Sequence, residues 1–102
     1  MKNGGWCIVT TPKRRHKGEV HFASEICKIA AKELGINFYE DALTCRNRHR
    51  IEPEFELELF PKERNVILYD DIITTGSTMN EARRLLTKSG YLVFSVIAIR
   101  NQ

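Results

Sequence analysis

The sequence predicts an α/β domain built on a mainly parallel β-sheet. Short runs of apolar and β-branched residues alternate with segments of helical periodicity along the chain. The segment "NVILY" at residues 65–69 is apolar on both faces, as expected of a central parallel strand that is covered on each side. A glycine follows each helical pattern where a left-handed helix cap would fall. Strands and helices in this order are typical of a parallel sheet with right-handed crossovers.

The first half of the chain contains a predicted strand, a helix and a second strand. "WCIVT" at residues 6–10 predicts a short strand that ends before the turn at Thr11 and Pro12. A helix is predicted from about Glu19 to Leu34, with Gly35 as its cap. Its apolar residues, at three- and four-residue spacing, are Val20, Ala23, Ile26, Cys27, Ala30 and Leu34. "INFYE" then predicts a brief second strand.

The second half begins with alternating glutamates and apolar residues at positions 52–59. This alternation, with Pro53, predicts an exposed edge strand with one acidic face; a merely solvated segment is the alternative. After "NVILY", Thr78 and Glu81 predict a capping box for a helix that Gly90 ends. The inward side chains of that helix are predicted to be Met79, Ala82, Leu85 and Leu86. "YLVFSVIAI" is the last predicted strand.

Composition indicates one ordinary globular domain that spans residues 1–102, with 42% hydrophobic and 28% charged residues. No apolar run approaches the roughly 20 residues that a membrane-spanning helix needs, and the amino terminus does not have the pattern of a secretory signal, so we expect a cytoplasmic location. Three cysteines without a C-x-x-C pair are expected to be reduced thiols. The net charge of +3 does not by itself indicate nucleic-acid binding.

Polar segments follow the first strand and the "NVILY" strand. Ligands of open parallel sheets bind beyond the carboxyl ends of the strands, so both segments are expected at one rim. A basic cluster, Lys13 to Lys17, would then face Asp70 and Asp71 across a single crevice.

The segment 74–78 is suited to hold a phosphate monoester. Gly76 permits close backbone approach, while the neighbouring hydroxyls and the helix start near Thr78 offer donors. A well-capped helix start is the alternative interpretation. Asp70 and Asp71 would repel a phosphate, which favours a polyol or a cation as their partner over a simple acidic turn. One sugar phosphate could satisfy both features.

The stretch "VILYDDIITTGST", residues 66–78, resembles the phosphoribosyl pyrophosphate (PRPP) motif of type I phosphoribosyltransferases. Upstream, "TPKRRHKGEVHFASEICKIA" resembles the pyrophosphate loop and following helix of the ComF-like branch of that family, and "CRNRHRIEPEF" its Arg-containing flexible region. The chain differs from the family pattern in having no obvious hood and no zinc-binding Cys cluster.

The resemblance implies a fold and a set of site residues. The fold would be a small three-layer Rossmann-like domain, a minimal version of the type I phosphoribosyltransferase core. The residues with an implied catalytic role are Asp70 and Asp71, which would bind the ribose hydroxyls, and Arg48 and Arg50. The segment of these two arginines would be a closing lid; a solvent-facing basic turn is the alternative interpretation. The 5′-phosphate would be bound by Thr74, Thr75, Gly76, Ser77 and Thr78, and the pyrophosphate by Thr11, Lys13, Arg14 and Arg15. Mg²⁺ would be held mainly through PRPP, near Asp70 and Asp71.

The implied activity is that of a pentosyl-transferring glycosyltransferase of nucleotide metabolism. It would transfer phosphoribosyl from PRPP to a nitrogen nucleophile, a base or ammonia, and release pyrophosphate. Thr74 occupies the position at which enzymes that act on 6-oxopurines usually have an acidic residue. This difference argues against a 6-oxopurine as the acceptor. The alternative is a non-catalytic module that senses PRPP or a nucleotide, or a ComF-like accessory of DNA uptake. Small size and an exposed edge predict a homo-oligomer.

Overall fold

The computed structural model describes residues 5–12, 22–45, 55–70 and 77–97. In these residues the elements are β1 (Trp6–Thr10), α1 (Phe22–Leu34), β2 (Asn37–Tyr39), β3 (Leu43–Cys45), β4 (Phe55–Leu57), β5 (Asn65–Asp70), α2 (Ser77–Lys88) and β6 (Leu92–Ile97). Within the same ranges, no helix has the length and apolar character needed to cross a membrane.

The main sheet has four strands in the order β2-β1-β5-β6, and all neighbouring strands are parallel. β3 and β4 pair antiparallel in a separate two-stranded sheet. The prediction of an α/β domain with a mainly parallel sheet is therefore confirmed. The chain leaves β1 toward β2 on one side and then returns to β5 on the other side of β1. The strand order consequently reverses between β1 and β5.

The helix α1 packs on one face of the main sheet. Its buried stripe is Ala23, Cys27 and Ala31, which packs with Ile8 of β1 and Tyr69 of β5 in a first cluster, the α1-side core. The stripe is narrower than the pattern indicated: Ile26 and Leu34, both part of the predicted repeat, are 44% and 52% exposed. Helix α1 begins at Phe22 in the described residues, and residues 19–21 of the predicted helix lie outside them.

The helix α2 packs on the opposite face. This second core is called the α2-side core, and its buried members are Cys7, Val9, Ala42, Leu43, Val66, Leu68, Met79, Ala82 and Leu86. The inward face predicted for α2 is confirmed, with Leu85 partly buried beside it. The predicted capping box is wrong, because α2 begins at Ser77 and so includes Thr78. Glu81 instead accepts hydrogen bonds of 3.0 and 2.7 Å from the guanidinium of Arg84, which lies one turn further along.

Both helices end at the predicted glycines. Gly35 has φ of 70° and Gly90 has φ of 102°, values that a residue with a side chain rarely adopts. At the end of α2, the amide of Gly90 bonds the carbonyl of Thr87 at 3.0 Å and that of Tyr91 bonds Leu86 at 3.1 Å. These two bonds form a Schellman motif, which satisfies the last carbonyls of the helix.

The predicted acidic edge strand is confirmed only in its middle. β4 covers Phe55–Leu57, where Glu56 is exposed while Phe55 and Leu57 pack against the α2-side core. Residues 52–54 lie outside the described residues, and residues 58 and 59 do not belong to the strand. Its partner β3 was not predicted, because three residues carry no periodic pattern of their own.

Hydrogen bonds attach the segment between β4 and β5 to the sheet. Glu63 accepts bonds of 2.7 Å from both Tyr39 and Asn37 of β2, and Tyr91 donates to the carbonyl of Pro61 at 2.7 Å. Partial burial opposes ionisation of Glu63, but the bonds from Tyr39 and Asn37 outweigh it and lower the pKa of Glu63. Partial burial and the bond to Glu63 together raise the pKa of Tyr39. The return of the chain from β2 to β5 is therefore anchored on β2.

Candidate functional site

The carboxyl ends of β1 and β5 lie side by side at the centre of the main sheet. Thr10 is in register with Tyr69, and the amide of Thr11 donates a bond of 3.2 Å to the carbonyl of Tyr69. The segments after both strands consequently leave the same edge of the sheet, as predicted. This edge is the point at which the strand order reverses, where open α/β sheets form their crevice.

Asp70 is the last residue of β5 and is half-buried. Side chains alternate between the faces of a strand, so Asp70 belongs to the same face as Val66 and Leu68, on which α2 packs. It is therefore placed at the rim on the α2 side of the sheet. Asp71, the other member of the predicted acidic pair, lies outside the described residues.

Thr11 directly follows β1 and is 4% exposed. Its backbone amide is bonded to Tyr69, and Pro12 has no amide hydrogen. A backbone contact from Thr11 to pyrophosphate would therefore require loss of this hydrogen bond. Any anion contact by backbone amides after β1 is expected from position 13 onward.

The helix α2 follows β5 after residues 71–76 and has twelve residues. Its first turn contains no acidic residue, so no carboxylate there neutralises the positive end of the helix dipole. Ser77 and Thr78 are its first two residues, and their side chains are not among those described. The first amides of α2, which have no hydrogen-bond partner within the helix itself, lie on the side of the sheet to which Asp70 belongs.

The other predicted site residues lie outside the described ranges. They are Lys13, Arg14 and Arg15 after β1, Arg48 and Arg50 in the predicted lid, and Asp71, Thr74, Thr75 and Gly76 after β5. The described residues therefore define the framework of the predicted site.

The segment that contains Arg48 and Arg50 connects β3 to β4, whose ladder ends at the pair of Cys45 and Phe55. β3 starts only three residues after β2, with Asp41 in the turn at φ of 62°. Because β2 is parallel to β1, the turn from β2 to β3 begins at the edge of the main sheet where β1 and β5 end. Both β3 and β4 belong to the α2-side core. The sequence did not predict that β3 and β4 attach this segment to the α2-side core. The one sequence feature that could have indicated it is the short Leu-Thr-Cys segment of β3, which pairs with the alternating residues of β4.

Other charged features of the described residues do not form a second site at this edge. A depression of about 540 Å³ on the outer surface of α2 is lined by Asn80, Arg83, Arg84, Thr87 and Lys88. All of these belong to the helix and none to β1 or β5. In the part of the chain that the structure describes, no group of three or more His, Cys, Asp or Glu side chains could hold a metal ion.

The strand order is observed, whereas the role of the motif residues is a prediction from the sequence. No protein-family model matches the chain, and no curated protein matches it.

Proposed function

We propose that this protein binds PRPP with Mg²⁺ at the carboxyl edge of β1 and β5 and transfers the phosphoribosyl group to a nitrogen nucleophile. The observation that carries the proposal is the adjacency of these two strand ends at the reversal of strand order. It places the segment of Asp70 beside the segment that begins at Thr11, and the resemblance assigns these two segments to opposite ends of one ligand.

The architecture supports a small three-layer Rossmann-like domain as the finer description of the fold. Four parallel strands form the middle layer, with α1 on one face and α2 on the other. The minimal core of a type I phosphoribosyltransferase would have this arrangement. Many functions occur on Rossmann-like folds, so the assignment to this family depends on the motif after β5.

The phosphate end of the ligand would lie at the start of α2. Residues 74–78 would donate from hydroxyls and amides, and the absence of carboxylates in the first helical turn favours an anion there. The ribose would lie toward Asp70 and Asp71, whose carboxylates accept hydrogen bonds from its 2′- and 3′-hydroxyls. A single ligand would thereby bridge the end of β5 and the start of α2.

The proposed reaction breaks the bond between C1 of the ribose and pyrophosphate and forms a bond from C1 to nitrogen. The nucleophile loses a proton, and the bonding pair leaves with pyrophosphate. Positive charge develops on the sugar, as it does when glycosidic bonds are cleaved, and carboxylates at positions 70 and 71 would stabilise it. Lys13, Arg14 and Arg15 would stabilise the negative charge that develops on pyrophosphate.

The residues present are compatible with Mg²⁺ that is held mainly by the ligand. Mg²⁺ usually needs only one or two protein carboxylates when it is bound through substrate phosphates, and Asp70 lies at the edge where such an ion would sit. When bound, Mg²⁺ neutralises charge on the departing pyrophosphate. The cytoplasmic location expected from the sequence belongs to the same proposal.

Pyrophosphate release distinguishes the enzyme from a sensor. The protein, PRPP and Mg²⁺ are incubated with ammonia or with each of a panel of purine and pyrimidine bases, and pyrophosphate is quantified with a coupled assay. We expect acceptor-dependent release that falls at least about tenfold in Arg48→Ala, because a lid arginine stabilises only the departing charge. Lys32→Ala, a substitution on the exposed side of α1, is the matched control and should retain full release.

PRPP binding without release for any acceptor would contradict the transferase and support the sensing module. Loss of release in Arg48→Ala with unchanged PRPP affinity would assign the arginine to the chemical step. Equal loss in the Lys32→Ala control would instead indicate a general effect of removing positive charge.

A further inference from the structure

A continuous apolar surface lies on the α1 face of β6. Ile67 and Tyr69 of β5 belong to the α1-side core, and they are in register with Phe94 and Val96. Paired residues of parallel strands point to the same face, so Phe94 and Val96 share the face on which α1 packs. Helix α1 packs over β1, β2 and β5 and leaves the side chains of β6 exposed. The resulting β6 patch consists of Trp6, Leu92, Phe94 and Val96, which are 36%, 51%, 47% and 43% exposed.

Two aromatic rings form the centre of the β6 patch. Trp6 of β1 and Phe94 of β6 have ring centroids 5.1 Å apart at an interplanar angle of 38°, although β5 lies between their strands. The contact holds both rings against the sheet as a preformed surface. Such rigid aromatic pairs lose little side-chain entropy when a partner covers them.

A flank of α1 extends the patch. Lys28 lies 3.6 Å from Glu40, which directly follows β2, so this side of α1 faces β2. Ile26 lies about 200° around the helix from Lys28 and therefore faces toward β5 and β6. Ile26 is 44% exposed. It thus forms an apolar border where the helix meets the β6 patch.

The described residues of the edge strand contain neither of the residue types that usually protect a sheet edge, charged residues and proline. β6 is the outer strand, and its sequence "LVFSVI" contains no charged residue and no proline. Native edges are normally protected by charges, prolines, bulges or a covering element. Within the described residues, no strand pairs with the outer edge of β6.

The exposed area matches one half of a small dimer interface. Five side chains at the observed exposures present roughly 80 Å² each, or about 400 Å² in total. A standard interface buries about 800 Å² per partner, of which somewhat more than half is apolar. The patch therefore has about the apolar area that one partner of a stable complex contributes. Because it bears no charge, it is complementary to an uncharged apolar surface such as itself.

We infer that the β6 patch is the contact surface of a symmetric homodimer. A second copy of the chain packs its own patch face to face around a two-fold axis. The pair formed by Trp6 and Phe94 in one copy then contacts the same pair in the other copy. Closed two-fold dimers are the commonest oligomers and use a single self-complementary surface. The inference is independent of the proposed function.

Trp6 is the single tryptophan of the chain and lies in the patch, so it reports the contact directly. Sedimentation velocity and tryptophan emission are recorded together from about 1 to 200 µM protein. We expect the mass to rise from 11.8 kDa to twice that value and the emission maximum to move to shorter wavelength over the same range. In Phe94→Ala the dissociation constant should rise roughly 10- to 30-fold.

Phe60→Ala is the matched control, because Phe60 is 66% exposed and lies outside the patch. It should dimerise as the unmodified protein does. A monomer at every concentration, or association that leaves tryptophan emission unchanged, would overturn the assignment. An equal loss of dimer in Phe60→Ala would do the same. If Phe94→Ala does not fold, as judged by circular dichroism, Leu92→Lys with the same two readouts replaces it.

Discussion

The hydroxyl of Tyr39 donates a hydrogen bond of 2.7 Å to Oε1 of Glu63, while Asn37 donates one of 2.7 Å to Oε2. Both carboxylate oxygens of Glu63 are thus used to attach the segment before β5 to β2. These two strands lie on opposite sides of β1. The contact therefore stabilises the part of the chain that passes from β2, on one side of β1, to β5 on the other side. This connection places β5, and with it Asp70, beside β1.

Replacement of Glu63 by glutamine should lower stability at neutral pH. One oxygen becomes an amide group that cannot accept a hydrogen bond, and the expected loss is about 1 kcal/mol in the free energy of unfolding. Urea denaturation at pH 7 measures it. Glu33→Gln, an exposed substitution on α1, is the control and should change stability by less than about 0.5 kcal/mol.

The same variant should reveal the pH dependence of this contact. Because folding lowers the pKa of Glu63 from its usual 4.5, its contribution is complete above about pH 5 and is lost as the pH falls through the folded pKa. The stability difference between the unmodified protein and Glu63→Gln should therefore shrink between about pH 5 and pH 3. A difference that stays constant over this interval would show that the carboxylate charge does not contribute.

Leu68→Ala should destabilise the domain more than any comparable surface change. Leu68 of β5 is completely buried in the core between the main sheet and α2, and truncating a buried leucine typically costs 2–5 kcal/mol. Leu59→Ala, at a position 46% exposed, should cost less than about 1 kcal/mol. Equal destabilisation of both variants in urea would contradict the assignment of Leu68 to the core.

Substitution of Gly90 tests the end of α2. A Cβ atom at this position would meet nothing within 4 Å, so the cost of alanine is the backbone strain at φ of 102°. We expect Gly90→Ala to lose about 1–2 kcal/mol and to lower the melting temperature by roughly 4–8 °C per kcal/mol. Gly90→Asn should lose less, because asparagine tolerates left-handed backbone better than alanine does. The reverse order would contradict the Schellman assignment.

Cys7 and Cys27 should be unreactive in the folded protein. Burial raises the pKa of both thiols to about 12, and the charge of Glu63 adds to the effect at Cys7. At pH 8 we expect alkylation of these two residues to be at least about 100-fold slower than in guanidinium chloride. Mass spectrometry of peptides after timed alkylation resolves each site. Rapid native modification of Cys27 would show that α1 opens readily.

The strands and helices with strong local patterns were predictable from the sequence. β1 and β5 are apolar runs that end in turn or acidic residues, and α2 has an amphipathic repeat followed by Gly90. Local sequence determines such elements because burial on one or two faces imposes the pattern directly. That the segments after β1 and β5 leave the same edge was also predictable, because parallel strands of one sheet all end at the same edge. The strand order itself was not predicted.

Elements that depend on distant partners were not predictable. β3 has three residues and exists through its antiparallel pairing with β4, so its own sequence carries no period. The exposure of Ile26 depends on how far α1 extends over the sheet, and that of Phe94 depends on α1 packing over β1, β2 and β5 and not over β6. For the candidate site, the framework at Thr11, Asp70 and the start of α2 follows from the sequence, whereas the roles of the residues between them stay predictions.

Binding of PRPP measured by titration calorimetry tests the central proposal most directly. The unmodified protein is titrated with PRPP in the presence of Mg²⁺, alongside Asp71→Asn and the matched Asp41→Asn, a change in the turn before β3 at φ of 62°, which asparagine tolerates. We predict binding that weakens about tenfold or more in Asp71→Asn without loss of thermal stability, and unchanged binding in Asp41→Asn. Absence of PRPP binding by the unmodified protein, or equal affinity in all three proteins, would contradict the proposal.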